Sequence, residues 1–424
     1  MKKAAETVYG ATEWTLKNGV KVVVLPTQYK QDQVLFNISF DGGKTLIATE
    51  DMPSFEDNIW TLFVNNSGIS KFSSTQVPKM LAGKNLSVTP YIGGTKHGIS
   101  GSSTPKDFET ALQIAYLYFA DPRFDENEYQ TGIQQIKALL PNIAKNPDFV
   151  FQNEMNKILY SNNPRVVELN EETLANADLA TIERVYRELF KDAAGATLRI
   201  VGNVNPEAIK PLVEKYIGSI AKGKKADKVN KDNVITFAKG RIDENVAIAM
   251  ETPKSTVLQL YTAYMPVDTK TEVALEVAKY VLDMIYTKTI REEEGGTYGV
   301  GVAMVGQRSP EERALIQVYF DTNPEQAPKL RELAIKDLKD LAENGPDADK
   351  FNMAIENFKK NLPESRISNS YWMGNLSQYY DYGIDYDAEY EDAVNSVTPE
   401  DVKAVLQAIL AQNNLIEITS APKE

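Results

Sequence analysis

The chain has 424 residues, a net charge of −13 and no cysteine. This length is enough for two or three ordinary domains with substantial cores. Nucleic-acid binding depends on neutralising phosphates, so the excess of 59 acidic over 46 basic residues argues against a DNA or RNA partner. The lack of cysteine excludes disulfides, thiolate metal sites and cysteine nucleophiles. The lack of cysteine is compatible with the periplasm and with the cytoplasm, and we favour the periplasm slightly.

No apolar run approaches the roughly 20 residues that a transmembrane helix requires, so we expect no membrane span. The N-terminal residues, Met1 to Tyr9, lack the apolar region of a signal peptide. The sequence leaves open whether a signal lies upstream of Met1.

The first half of the chain begins with a predicted hairpin. Two extended runs between Trp14 and Leu25 flank Asn18-Gly19, and Asn-Gly is the strongest short turn signal. Further strands are predicted at residues 34–40, 86–92, 97–102 and 197–202. Helical periodicity covers residues 54–63, 76–81, 107–119, 126–140, 148–160, 181–190 and 206–217, weakly in the first two.

The second half repeats this mixture of elements. Strands are predicted at residues 246–251, 257–264, 297–306 and 314–320. Helices are predicted at residues 272–293, 327–342 and 347–361. Strands grouped with long helices, without βαβ alternation, indicate α+β layers with helices on one face of a sheet.

Three blocks of sequence recur in the same order at an offset of about 220 residues. Residues 34–40 match 257–264, residues 125–141 match 347–363, and residues 182–201 match 402–419. A fixed long period marks duplicated units. We therefore predict two homologous α+β domains, each a mainly antiparallel sheet with helices packed on one face. They cover residues 1–221 and 233–424, joined by a Lys-rich solvated linker at 222–232.

His97 is the only histidine in the sequence. A zinc site needs several ligands, and one imidazole without thiolates rarely suffices. A Ser-His-Asp hydrolase around His97 stays formally open, but no Gly-x-Ser-x-Gly elbow precedes it. We predict a surface position for His97 on a strand.

The stretch from Ile290 to Gly301 is the most informative part of the sequence. A long amphipathic helix is predicted to end at Gly295-Gly296, and a strand to start at Thr297. Arg291 in the last helical turn and Tyr298 are then expected to face a common concave surface. Arginine offers a rigid fork of donors, and a tyrosine hydroxyl can donate to an oxyanion. Alternatively, the arginine complements the helix dipole and the tyrosine lies in a half-buried strand.

The duplication, the opening motif Leu-x-Asn-Gly-Val-x-Val from Leu16 to Val22 and the Arg291-x6-Tyr298 pair resemble the pitrilysin/insulinase family of zinc metallopeptidases. Those enzymes consist of two halves, each of two homologous α+β domains, that close around a chamber. The resemblance implies that this chain is the non-catalytic half. It implies that Arg291 contacts the substrate backbone and that Tyr298 stabilises the tetrahedral intermediate.

The chain departs from the catalytic halves of that family, which carry His-x-x-Glu-His on a helix. The corresponding residues 53–63 contain no histidine, so Glu56 is not carried over as a base. The resemblance then implies no metal in this chain and a zinc ion on a catalytic partner half, in the same polypeptide or a separate subunit. Unfolded peptides are the implied substrates. The competing hypotheses are a non-proteolytic scaffold subunit on the same fold and a self-contained hydrolase using His97.

Overall fold

The computed structural model describes residues 5–423, and its backbone contacts divide the chain into two compact units. Unit 1 consists of Met1–Pro141, Val167–Val234 and Ser365–Gly383. Unit 2 consists of Asn142–Val166, Ile235–Glu364 and Ile384–Glu424. The short segment Ser365–Gly383 of unit 1 lies between two segments of unit 2 in the sequence. Likewise, Asn142–Val166 of unit 2 lies between two segments of unit 1. No helix in residues 5–423 is long and apolar enough to cross a membrane.

Unit 1 contains a seven-stranded sheet in the order β1-β2-β3-β7-β4-β6-β5. Among the described residues of this sheet, β3 and β7 pair in parallel and the other neighbouring strands pair antiparallel. The strands are β1 (Ala5–Glu6), β2 (Thr12–Thr15), β3 (Lys21–Pro26), β4 (Val34–Asp41), β5 (Leu86–Ile92), β6 (Lys96–Ser103) and β7 (Thr197–Gly202).

Unit 2 contains a five-stranded sheet in the order β10-β11-β9-β12-β8. Its strands are β8 (Arg241–Ile248), β9 (Ser255–Tyr264), β10 (Gly301–Gln307), β11 (Arg313–Thr322) and β12 (Leu415–Pro422). Its single parallel pair is β8 with β12. In unit 1, the strand order β3-β7-β4-β6-β5 corresponds to the order β8-β12-β9-β11-β10 of unit 2. Each series begins with a parallel pair. This shared topology confirms the predicted pair of homologous, mainly antiparallel α+β domains.

Fourteen α-helices lie in the described part of the chain. The first seven are α1 (Asp57–Asn66), α2 (Val77–Met80), α3 (Phe108–Ala120), α4 (Glu126–Ile143), α5 (Pro147–Leu159), α6 (Glu171–Asn176) and α7 (Leu179–Leu189). The others are α8 (Pro206–Tyr216), α9 (Thr269–Tyr286), α10 (Ala327–Asn344), α11 (Ala348–Ser365), α12 (Asn369–Tyr382), α13 (Tyr386–Ser396) and α14 (Pro399–Ala411). Short 3₁₀ segments, such as Thr49–Phe55 before α1, connect several of these elements.

The main core of unit 2 lies on one face of its sheet, because side chains alternate between the two faces of a strand. Val257 and Tyr261 of β9 point to this face and pack with α9, α10 and α14. Leu258 and Leu260 point to the opposite face, where Phe151 of α5 covers them together with Met155 and Leu159. The helices of unit 2 therefore lie on both faces, with a single helix on the second.

Unit 1 has the same single-helix cover on its second face. Val23 and Leu25 of β3 and Val201 of β7 pack against Leu376 of α12. Helix α12 starts at Asn369, 222 residues after the start of α5 at Pro147, so the two cover helices are repeat equivalents. Helix α5 follows α4 of the first repeat but covers the sheet of unit 2. Helix α12 follows α11 of the second repeat but covers the sheet of unit 1.

The Asn18-Gly19 turn joins β2 and β3 as predicted, with Thr15 paired to Lys21. Gly19 has a φ of +99°, a conformation that glycine adopts at little cost. The amide of Asn18 is buried and donates to the carbonyl oxygens of Ile217 and Ile220 at 2.8 and 3.0 Å. The turn is therefore fixed by its own backbone and by tertiary hydrogen bonds.

The Lys-rich segment at residues 222–232 belongs to unit 1 and has exposed lysines, and a short 3₁₀ helix, Lys231–Asn233, begins near its end. The backbone N–H of Asn230 donates to the Thr45 hydroxyl at 3.1 Å. The side chain of Asn233 donates to the Thr45 carbonyl at 2.8 Å. These contacts hold the segment to its own unit.

Candidate functional site

The helix that carries Arg291 changes its winding shortly before it ends. Helix α9 ends at Tyr286 and continues as a π-helical segment, Thr287–Glu293. The Glu294 N–H donates to the Thr289 carbonyl at 3.3 Å, five residues back. π-Helical turns are rare and frequently occur at functional sites. The predicted continuous helix over residues 272–293 is therefore correct in extent, but its last two turns are wider than an α-helix.

The π-helical segment is anchored on one side and open on the other. Ile290 is completely buried, and the Thr289 hydroxyl donates to the Asp337 carboxylate at 2.7 Å. Burial raises the pKa of Asp337 above its ordinary value, while the Thr289 hydrogen bond opposes this effect. Arg291 lies on the exposed side. Its guanidinium is therefore displayed from a fixed backbone.

The two glycines after the helix give the chain a sharp and well-held turn. Gly295 has a φ of +62°, the left-handed conformation typical of a residue that follows a helix. Gly296 is buried, and a Cβ there would lie 2.5 Å from the Leu330 side chain. The Thr322 hydroxyl donates to the Gly296 carbonyl at 2.6 Å. Glu294 also forms an ion pair with Lys329.

Tyr298 follows this turn in a loop, because β10 starts at Gly301 and not at the predicted Thr297. Its side chain is fully exposed (102 %). The Thr297 hydroxyl donates to the Gly299 carbonyl at 2.9 Å and closes a small turn around Tyr298. The structure therefore differs from the expected shared concave surface, because Tyr298 lies in a loop and faces solvent.

Arg291 and Tyr298 thus lie on either side of the Gly295-Gly296 turn, and both are exposed. Neither side chain forms a hydrogen bond or ion pair with another residue in 5–423. All the donors of both side chains are accordingly available to a molecule outside the chain.

Glu56 serves as a helix cap. Its carboxylate accepts hydrogen bonds from the backbone N–H groups of Asn58 and Ile59 at 2.9 and 3.2 Å. These are orphan donors of the first turn of α1. Within residues 5–423 no group of three or more His, Cys, Asp or Glu side chains is placed to hold a metal ion.

The predicted surface position of His97 is wrong, because its side chain is completely buried (0 %). It lies opposite Phe40 in the sheet, and its ring stacks on that of Phe40 at 5.2 Å. The Gly43 N–H donates to Nδ1 at 3.3 Å, and Nε2 lies 3.0 Å from the Leu189 carbonyl oxygen. Nε2 therefore carries the proton and donates. Both nitrogens are bound to backbone, which leaves none for catalysis or metal.

The burial of His97 predicts a pH dependence of stability. Burial lowers the pKa of the imidazole, and the hydrogen bond to the Leu189 carbonyl opposes this only partly. The unfolded chain titrates near its ordinary value of about 6.5 and binds the proton more readily. Unit 1 should therefore keep its full stability above that pH and lose stability as the pH falls through it. Urea unfolding between pH 7.5 and 5.5, compared with His97→Gln, should show this slope only in the wild type.

The comparisons with known proteins agree with the fold. Residues 176–358, which include Arg291 and Tyr298, match the family described as the peptidase M16 inactive domain. The zinc protease PQQL-like protein of Arabidopsis thaliana is 24% identical over 425 residues, 95% of this chain and 42% of that protein. The chain therefore spans less than half the length of this relative.

Two solved structures share the fold over essentially the whole chain. The periplasmic protease PqqL from Escherichia coli matches with a TM-score of 0.85 and 19% identity, over 100% of this chain and 46% of that one. A peptidase M16 inactive domain from Pseudomonas fluorescens matches with a TM-score of 0.77 and 16% identity, over 98% of both chains. The chain thus corresponds in extent to one half of the longer protease. Residues 176–358 thus resemble the peptidase M16 inactive domain, and the chain has the fold of one half of the longer protease.

Proposed function

We propose that this chain is the substrate-binding, non-catalytic half of a zinc-dependent endopeptidase that cleaves unfolded peptides in a closed chamber. The zinc ion and the His-x-x-Glu-His motif would lie on a catalytic half, either in the same polypeptide or in a separate subunit. The long zinc protease relatives, of which this chain matches less than half, support such a partner. We include a periplasmic location in the proposal, because the similar E. coli protease is periplasmic.

The observation that carries the proposal is the pair of exposed side chains at the Gly295-Gly296 turn. Arg291 extends from a π-helical turn that Ile290 anchors in the core, and Tyr298 extends from a loop pinned at Gly296. A fixed backbone limits the ordering cost of substrate binding to the two side chains themselves. Arg291 would hold a peptide carbonyl through its donor fork. Tyr298 would donate its hydroxyl to the oxyanion as the tetrahedral intermediate forms.

Arg291→Ala should weaken peptide binding to the two-half enzyme and leave the turnover number largely unchanged. A hydrogen bond from a charged donor contributes about 1.5–3 kcal/mol, so the dissociation constant should rise roughly 10- to 150-fold. The measurement is peptide titration by fluorescence anisotropy, together with steady-state hydrolysis. Lys288→Ala, an exposed cation in the same π-helical segment, is the matched control and should change neither quantity.

The same preparation tests the competing roles. The chain alone should not hydrolyse peptide, and hydrolysis should appear only with the catalytic half. Wild-type affinity in the Arg291→Ala complex would favour the scaffold subunit. Hydrolysis by the isolated chain that is lost in His97→Gln would favour the self-contained hydrolase.

A further inference from the structure

Within residues 5–423, the sheet-edge strands β5 and β8 have features that oppose further pairing. Proteins protect sheet edges with short strands, proline or charged side chains, because an unprotected edge pairs with other chains. In unit 1, β5 contains Pro90. In unit 2, the outer strand β8 carries Arg241, Asp243 and Glu244.

Strand β10 is the exception. It has seven residues, Gly301–Gln307, and the stretch from Gly296 to Gln307 contains no charged residue and no proline. It lies at one end of the sheet and pairs only with β11. In an antiparallel pair, half of a strand's backbone donors and acceptors point away from its partner. Within residues 5–423, those of β10 have no backbone partner on the open side.

The side chains along β10 also leave room beside the edge. Gly301, Ala303 and Val305 alternate on the exposed face, and Val305 is 49 % exposed. Tyr319 of β11 is paired with Gly301 and is also exposed on this face. Met304 points to the opposite face and is buried in the core with α9. Strand β10 therefore forms an uncharged, apolar sheet edge on a chain with a net charge of −13.

We infer that β10 is a docking edge for an extended peptide, which adds to the sheet of unit 2 as a sixth strand. Main-chain hydrogen bonds would supply affinity without a sequence requirement, and the exposed face of Ala303 and Val305 would favour small apolar side chains at alternate positions. Choosing a substrate peptide as the occupant rests on the proposed function. The specific reason is that Tyr298 lies three residues before β10 starts, so a strand on this edge would run beside it.

The ligand class follows from this geometry. An unfolded segment can present a free backbone edge, whereas a residue inside a helix or a central strand has its donors and acceptors occupied. The docking edge would therefore select for extended, uncharged segments. It would act by backbone shape, separately from the two side chains at the glycine turn.

The first test uses the 424-residue chain and a fluorescein-labelled nine-residue peptide of alternating valine and threonine. Hydrogen exchange should slow in residues 301–307 when the peptide is bound. Peptides N-methylated on the alternate residues whose N–H groups face β10 should bind at least about fivefold more weakly than the unmethylated peptide, since each lost hydrogen bond costs roughly 1 kcal/mol. Peptides N-methylated on the other residues, whose N–H groups point away from β10, should bind within about twofold of the unmethylated peptide. Equal binding of the two methylated sets would overturn strand addition.

The second test changes the edge itself. Val305→Lys should weaken binding of the same peptide about fivefold or more, because lysine on an edge strand opposes pairing. Met353→Lys, at a residue of similar exposure on α11, is the matched control and should bind like the wild type. Unchanged affinity in Val305→Lys would overturn the inference. So would a dimer of this chain that Val305→Lys converts to monomer in sedimentation, since the edge would then pair with a second copy.

The outcome is separable from that of the proposed function. If Val305→Lys binds peptide normally while Arg291→Ala and Tyr298→Phe impair the two-half enzyme, only the docking edge is refuted. If Val305→Lys weakens binding while both other variants behave as wild type, the proposed roles of Arg291 and Tyr298 are refuted and the edge remains.

Discussion

Tyr298→Phe should lower the turnover number of the two-half enzyme by about a hundred- to a thousand-fold. The loss of one oxyanion donor typically costs on the order of 2.7–4 kcal/mol of transition-state stabilisation. Substrate affinity should change little, because the hydroxyl acts on charge that develops only after attack on the carbonyl. Single-turnover and steady-state kinetics on one peptide would separate the two effects.

The exposed position of Tyr298 makes this variant easy to interpret. Phenylalanine keeps the ring, and the hydroxyl of Tyr298 has no partner within residues 5–423 whose loss would disturb the fold. Tyr29→Phe, another exposed tyrosine, serves as the control and should retain full turnover. If the Tyr298→Phe enzyme turned over like the wild type, the hydroxyl would have no catalytic role.

Asp381→Ala should destabilise unit 1 by about 3 kcal/mol, since removing one partner of a buried ion pair leaves an uncompensated charge. Arg199 of β7 is 2 % exposed. One of its terminal nitrogens donates to Asp381 and the other to the Ser39 hydroxyl at 2.8 Å, while Nε has no partner in the described part of the chain. Without Asp381, a buried guanidinium keeps a single hydrogen bond. Urea denaturation monitored by the fluorescence of Trp14 and Trp60 would measure the change.

A matched control lies in the same group of charges. Lys96 forms ion pairs with Asp381 at 3.3 Å and with the more exposed Asp41 at 2.9 Å. Asp41→Ala should cost less than about 1 kcal/mol, because water screens an exposed pair. The double variant Arg199→Met/Asp381→Leu should recover most of the lost stability, since apolar residues can replace a buried pair. Equal losses for Asp41→Ala and Asp381→Ala would show that burial of Arg199 is not the cause.

Local chemistry and the repeat allowed much of the fold to be predicted. The Asn18-Gly19 turn carries its own conformational signal, and the duplication required one topology twice. The positions of α5 and α12 could not be predicted in the same way. Periodicity shows that a helix has an apolar face, but it does not show which sheet that face covers. The same limit explains His97: the alternation of β6 was visible, but the ring of Phe40 across the sheet was not.

The sequence singles out Arg291 and Tyr298 as candidate site residues, which stay a prediction, but it does not predict their surroundings. Arg291 and Tyr298 flank a glycine pair that ends a helix, and the resemblance of this Arg-x6-Tyr pair to the pitrilysin/insulinase family implies their roles. The π-helical winding at Thr287–Glu293 has no clear sequence signal, and the contacts of Ile290 and Thr289 with the rest of unit 2 are tertiary. Residues 297–300 are predicted as strand because they are uncharged and continue into the valine- and glycine-rich sequence of β10, but they form a loop.

The exchange of α5 and α12 has a consequence for how the gene could be divided. A cut within residues 222–232 would separate the two copies of the duplication without yielding two self-sufficient proteins. Each fragment would lack the helix that shields its sheet, exposing Val23 and Leu25 in one and Leu258 and Leu260 in the other. Each would also carry an apolar helix with no sheet to cover. The fragments should associate through reciprocal donation of these helices. After such an exchange, neither copy can be inherited, lost or recombined as a single module.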